Sequence, residues 1–290
     1  MHIGQLGALC FMDAMTAPES VEFCRRLERM GYKVIWTPEA WGRDPFAHGG
    51  YLLAQTDRLI YATGIANIWA RDPMAMACAA KTLAEAAEGR FILGVGVSHR
   101  SLVEDLRGHK YGKPFSYMSE YITQMKLALY QAIAPQTEPP LMIAALRPKS
   151  LGLAAREAHG TQTYLCLPAH TRKARAAMGP DKWVCASVVA ILERDAAKAR
   201  ARAREHVSFY ASQQNYQRIL MSQGFTQADF ANGCSDRLID AVVAWGSEDK
   251  IGERIDAQLA AGANHVCLMP LRCDNLWLPD ERGFEALASR

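Results

Sequence analysis

The order in which extended and helical patterns follow one another constrains this chain most. Eight short runs rich in β-branched and apolar residues fall at 2–9, 33–37, 59–66, 90–97, 140–145, 161–166, 182–192 and 264–270. Between them, apolar residues recur at helical spacing, as Val21, Cys24, Leu27 and Met30 do. Helices are predicted over 18–30, 73–88, 116–133, 150–158, 171–178 and 248–261. A long helical region over 194–223 is followed by pieces at 226–231 and 235–245. Pro73 opens one of these helices and Gly89 closes it, the expected asymmetry of helix ends. Strands joined by crossover helices must run parallel, and a parallel sheet must be covered on both faces. The fold class is therefore α/β. Eight such units are the number that closes a (β/α)8 TIM barrel, although an open doubly wound sheet shows the same alternation. A barrel is expected, as a single domain over 1–290 with a helical insertion at about 194–232.

Composition narrows the function. Half the residues are apolar, which excludes disorder, and 21 Gly and 13 Pro without a period exclude collagen-like repeats. A net charge of +3 gives no reason to expect a nucleic-acid or anionic-membrane partner. The basic run Lys198, Arg200, Arg202, Arg204 is spaced by two, so its charges cannot share one helix face, and it reads as a solvated helix. The longest stretch free of Asp, Glu, Lys and Arg, 158–171, falls short of the roughly 18 apolar residues of a membrane span. The N-terminus reads as a first strand rather than a leader. The eight cysteines include no Cys-x-x-Cys pair, and most sit inside apolar runs. They read as reduced core thiols of a cytoplasmic protein.

In a barrel, chemistry belongs at the C-terminal ends of the strands. Those ends carry few charged groups, which suits a large, flat, mostly apolar ligand better than a metal or a sugar. No His-x-His, His-Glu-x-x-His or zinc-spaced Cys/His cluster is present, so no metal site is expected. Gly96-Val97-Ser98-His99-Arg100 lacks the second glycine of a serine-hydrolase elbow, and the run from Gly94 to His99 lacks the third glycine of a dinucleotide fingerprint. Its glycines serve either a tight turn or close backbone contact with a ligand, whose phosphate exposed N–H groups can hold. Glu39, between Pro38 and Trp41, forms either a surface ion pair or a ligand contact. His99 stands between a simple hydrogen bond at the barrel mouth and a catalytic role, and Asn67 sits where the third strand opens into that mouth.

Three segments carry a resemblance: TGIANIWARDP (63–73), GRFILGVGVSH (89–99) and AVVAWGSEDKIGERIDAQLAAGANHVCL (241–268). The chain resembles the luciferase-like monooxygenase superfamily, and within it the coenzyme F420-dependent oxidoreductases. The resemblance runs from the first strand to Leu271. It implies a bacterial luciferase-like barrel with insertions, binding F420, or alternatively FMN, at the C-terminal face. It implies a non-prolyl cis peptide at Gly64–Ile65 against the central ring of the cofactor, with Asn67 just beyond. The phosphate-bearing tail is expected at Gly96, Val97 and Ser98 and at Ala144, Ala145, Leu146 and Arg147. Glu39 stands where the family often has an Asp near the cofactor, and Arg147 replaces a small residue and can pair with an anionic tail. His99 and Glu39 are the candidates for proton handling. Ala40 and His99 depart from the alcohol and sugar-phosphate dehydrogenases of the family, which argues against those substrates. The implied chemistry is hydride transfer between the deazaflavin and a small organic substrate. The alternatives are an FMN-dependent monooxygenase and a non-catalytic flavin-binding barrel. Pocket walls are expected from Phe11, Trp41, Trp69 and the segment 206–232, and the resemblance implies a homodimer.

Overall fold

The computed structural model describes all residues, 1–290. Its strands are β1 (Leu6–Leu9), β2 (Val34–Thr37), β3 (Ile60–Thr63), β4 (Ala66–Asn67), β5 (Phe91–Gly96), β6 (Leu141–Ala144), β7 (Gly160–Thr163), β8 (Trp183–Ile191), β9 (Val243–Trp245) and β10 (His265–Pro270). Its first six helices are α1 (Ala17–Met30), α2 (Pro45–Ala54), α3 (Pro73–Ala86), α4 (Arg100–Glu104), α5 (Pro114–Leu127) and α6 (Pro148–Glu157). The remainder are α7 (Pro168–Met178), α8 (Ala196–Ala211), α9 (Gln214–Met221), α10 (Asp236–Val242), α11 (Glu248–Ala260) and α12 (Glu281–Leu287). A 3-10 segment, Gln227–Gly233, links α9 to α10.

All ten strands belong to one parallel sheet, and eight of them close on themselves in the order β1-β2-β3-β5-β6-β7-β8-β10. The ring is sealed where Leu6 pairs with Val266 and where His265 pairs with Cys185. This is the expected TIM barrel, not the open sheet. Strand alternation sets its two apolar layers: Val34 and Trp36 point into one buried cluster and Ile35 into the other. The outer layer packs Phe23, Leu27, Tyr61, Phe91 and Phe284 between sheet and helices. Six of the eight cysteines are buried free thiols. No helix is long and apolar enough to cross a membrane.

Local chemistry explains most helix starts. Thr16 and Glu19 form a reciprocal capping box for α1, and Gly31 ends it in the left-handed region at φ 97°. Asp44 and Asp72 cap α2 and α3, each followed by a proline at the first helical position.

The structure departs from the sequence pattern in several places. The third run is not continuous: β3 stops at Thr63, the Gly64–Ile65 peptide is cis, and β4 resumes beside β5 with Asn67 opposite Gly96. The piece at 235–245 divides into α10 and β9, because the β-branched Val243 pairs with Val189 on the upper edge of β8, beyond the level at which β7 stops. The helix predicted to residue 133 ends at Leu127, and the exposed Leu127, Leu129 and Ile133 find no core to face. Helix α2 falls in the stretch between the second and third strands, for which the sequence pattern predicts no helix. Gly49 is there because a Cβ would lie 2.5 Å from the Tyr61 ring. Helix α12 was missed as well; its Gly283 lies against Pro270, where a Cβ would sit 2.6 Å from the ring.

Gly94 sets how closely β3 and β5 approach just below the cis bond. A Cβ there would lie 2.0 Å from the Thr63 carbonyl oxygen, while the Thr63 hydroxyl bridges Gly94 by accepting from its N–H at 2.9 Å and donating to its carbonyl at 2.7 Å. Gly94→Ala is expected to cost about 1–3 kcal/mol of stability, as overpacked core positions do. A lowered urea midpoint at unchanged slope is the measurement.

Candidate functional site

The C-terminal end of β3 is organised by one carboxylate. The Glu39 side chain is only 4% exposed, and its Oε2 accepts from the Asn67 N–H at 2.7 Å. Arg71 donates to both of its oxygens, at 2.8 and 2.9 Å, and reaches on to Asp44, the cap of α2, at 3.0 Å. Arg107 stands 3.6 Å from Oε1 and donates to the Ala40 carbonyl at 2.9 Å. The Glu39 backbone N–H donates to the Ile65 carbonyl, and Gly64 N–H to Thr37. One side chain therefore ties the turns after β2, β3 and β5 together. A carboxylate engaged in this way positions the bulge; the proton handling expected of Glu39 finds no oxygen left without a donor.

Ile65, held by that bulge, lies over the ends of β5 and β6. A Cβ on Gly96 would fall 2.6 Å from Ile65 Cγ1 and 3.4 Å from the Ala144 Cβ, so Ile65 packs directly on Gly96 beside the half-buried Ala144. Val97 accepts from the Trp69 indole at 3.0 Å, and Trp69 stacks on Tyr117 at 4.0 Å. Ser98 takes a left-handed φ of 53° and its carbonyl accepts from the Tyr111 hydroxyl. On the next strands, the Ala145 N–H donates to Gln162, and the Leu146 carbonyl accepts from His170 Nε2 at 2.7 Å. Helix α6 starts here without a side-chain cap, unlike α1, α2 and α3, and the exposed Arg147 stands at its N-terminus, whereas at the start of α7 the Leu167 N–H donates to Gln223 Oε1 at 2.9 Å. Uncapped N–H groups and a free guanidinium make this side of the mouth receptive to anionic oxygens. The residues expected to hold a cofactor are thus brought together in two adjoining parts: an apolar seat and an anion-receptive rim.

The opposite side of the mouth is aromatic. His99 packs within 5.6–5.9 Å, centroid to centroid, of Phe209, Tyr210 and Tyr216, all from α8 and α9. Its Nδ1 is buried without a hydrogen-bond partner. Burial pushes this imidazole down from 6.5 to about 4, a shift that a hydrogen bond with Asn215 partly offsets. Beside it, the Tyr164 hydroxyl meets His206 Nε2 and lies 3.4 Å from the Met269 sulfur at the top of β10. Burial and then the neighbouring Arg202 push His206 down to about 3, while burial raises Tyr164, Tyr210 and Tyr216. Trp41 reaches over the rim to Phe209 at 6.4 Å. Arg71, Arg107, Tyr164 and His206 were not singled out from sequence. Arg71 lies inside a quoted motif, and Tyr164 directly follows β7, so position alone could have flagged both. A groove lined by Gln5, Leu6, Ile255 and Leu259 opens at the far end of the barrel, out of reach of these groups.

Residues 5–265 match the luciferase-like monooxygenase family, and the chain belongs to it. A Mycobacterium tuberculosis protein named as a coenzyme F420-dependent oxidoreductase is 25% identical, over 90% of this chain and 93% of its own length. Among solved structures, an F420-dependent secondary alcohol dehydrogenase in complex with an F420-acetone adduct superposes with a TM-score of 0.78 at 15% identity. The match covers 99% of this chain and 97% of that one. The oxygenating constituent of 3,6-diketocamphane monooxygenase from Pseudomonas putida, in complex with FMN, gives a TM-score of 0.70 at 13% identity, over 98% and 96% of the two chains.

Two outcomes follow from this geometry. Arg71→Met strands the buried Glu39 charge and is expected to cost about 3–5 kcal/mol. The double variant with Glu39→Gln should recover part of that loss, read by urea unfolding. The second outcome concerns acid. Folded His99 and His206 resist protonation, so between about 6.5 and their depressed values the unfolded chain binds protons that the folded chain does not. Their stabilising contribution is complete above pH 6.5 and falls as pH drops toward 4. Urea midpoints measured from pH 7 to pH 4.5 should decline, and less steeply in His99→Gln.

Proposed function

We propose that the protein is a coenzyme F420-dependent oxidoreductase that moves a hydride between the deazaflavin and a small organic substrate. The observation that carries this reading is the pairing of an apolar contact, Ile65 on Gly96 and Ala144, with the adjacent uncapped start of α6 and its exposed Arg147. A planar ring system with a long anionic tail needs both. The near full-length relative named as F420-dependent supports the deazaflavin over FMN. When bound, F420 supplies two-electron hydride exchange at its C5 carbon.

The residues of this chain then divide the work. Ile65 and Asn67 present the bulge that seats the ring, and Glu39 with Arg71 holds that bulge rigid. Gly96, Val97 and Ser98, with Ala144, Ala145, Leu146 and Arg147, receive the tail. Phe209, Tyr210 and Tyr216 exclude water from the reacting face. His99, whose Nδ1 has no partner and whose ring burial keeps neutral, takes up a proton when substrate is oxidised and returns it when substrate is reduced.

Titration of the protein with F420 and separately with FMN, followed by cofactor fluorescence, tests the assignment. Micromolar or tighter F420 binding is expected, with FMN weaker. Arg147→Ala is expected to weaken F420 about tenfold, as loss of a charge-assisted hydrogen bond does, and the difference should shrink as salt is raised. FMN binding without F420 binding would overturn the deazaflavin reading and favour an FMN-dependent monooxygenase, to be assayed by oxygen consumption with reduced FMN. Binding of neither would favour a barrel without cofactor chemistry.

A further inference from the structure

The aromatic side of the mouth, opposite Arg147, concentrates polar atoms among its rings. Tyr164, Tyr210, Tyr216, Phe209 and His99 form a continuous group of rings, with Tyr164 and Tyr210 at 4.9 Å and Tyr210 and Tyr216 at 5.2 Å. Within this group stand two hydrogen-bonding elements: the unpartnered Nδ1 of His99, and the Tyr164 hydroxyl paired with His206. Tyr164 projects from the end of β7 to Met269 at the top of β10, so its hydroxyl stands over the barrel mouth rather than outside it.

We propose that the tip of the insertion, with His99, forms a chamber for a planar, uncharged aromatic substrate whose oxygen is recognised by the Tyr164–His206 pair. This rests on the oxidoreductase reading and gives it a substrate class. Ring faces set at tilted and edge-on angles accept another flat ring with favourable quadrupole contacts. Two histidines driven neutral and three tyrosines driven up report the same thing about their surroundings: charge is penalised there. The charged group that faces His206 is Arg202, whose Nε donates to the Arg272 carbonyl at 2.7 Å and whose Nη1 stands 3.7 Å from Glu205. Glu39, the buried carboxylate at the mouth, is neutralised by Arg71. A carbonyl or hydroxyl oxygen meets a neutral donor–acceptor pair at Tyr164 and His206, whereas a carboxylate or phosphate would give up its water to a pair that carries no charge.

Acetophenone, benzoate and ethylbenzene serve as probes, with dissociation constants measured calorimetrically on the protein alone and on the F420-loaded protein. Acetophenone is expected to bind at least tenfold more tightly than benzoate. Tyr164→Phe is expected to weaken acetophenone about three- to tenfold, the worth of one neutral hydrogen bond, while leaving ethylbenzene and F420 affinities unchanged. His206→Asn should produce the same selective loss. Equal losses for acetophenone and ethylbenzene would mean a merely structural role for Tyr164 and overturn the proposal. So would benzoate binding as tightly as acetophenone, or no acetophenone binding at all. F420 affinity, read in the same samples, tells the two readings apart: intact F420 binding without acetophenone binding removes the substrate class alone.

Discussion

The mouth of this barrel is organised around one buried carboxylate, each of whose oxygens meets a donor. Glu39 is fixed at the end of β2 by its own backbone bond to Ile65, and its oxygens collect Asn67, Arg71 and Arg107 from the turns after β3 and β5. An ion pair of this kind contributes little net stability compared with well-packed apolar residues, because both partners lose water. What it contributes is position. The bidentate fork fixes the angle of Arg71, Arg71 in turn meets the cap of α2, and the bulge between β3 and β4 has only one place to lie.

From that fixed bulge the mouth divides into two unlike halves. On the side of β5 and β6, the strand ends carry the small residues Gly96, Ala144 and Ala145. On the side of β7 and β10, side chains are large and aromatic, and the backbone is covered. His99 belongs to both, because it follows directly on the turn that ends β5 and is packed against α8 and α9. The His99 ring is therefore where the turn after β5 meets α8 and α9.

How much of this could be read beforehand depended on the range of the interaction. The eight barrel strands follow from local period and were legible, as were the residues contributed by strand ends, since a barrel dictates where those ends converge. Strand β9 was not, because its pairing with β8 exists only once β7 has ended early, a fact of three-dimensional register. Helix α2 was not legible either, and the reason for its Gly49 is the Tyr61 ring from another element. The Glu39 network joins residues 28 and 32 positions apart, and Tyr164 meets His206 across 42 positions, so no spacing rule links them. The cis bond at Gly64–Ile65 came from resemblance, not from any physical pattern in the segment.

The contact between Ile65 and Gly96 has a consequence for how this sequence can drift. The space that a side chain at position 96 would occupy is already filled by the branched chain of residue 65, with Ala144 closing the third side. Positions 65 and 96 therefore share one fixed volume. A lineage that enlarges one must first shrink the other, and the intermediate carrying two large groups pushes the bulge off β5. Neutral change at this spot proceeds by paired exchange, which makes the two positions a correlated couple, although one lies in the bulge and the other at the end of β5 and neither is charged or reactive.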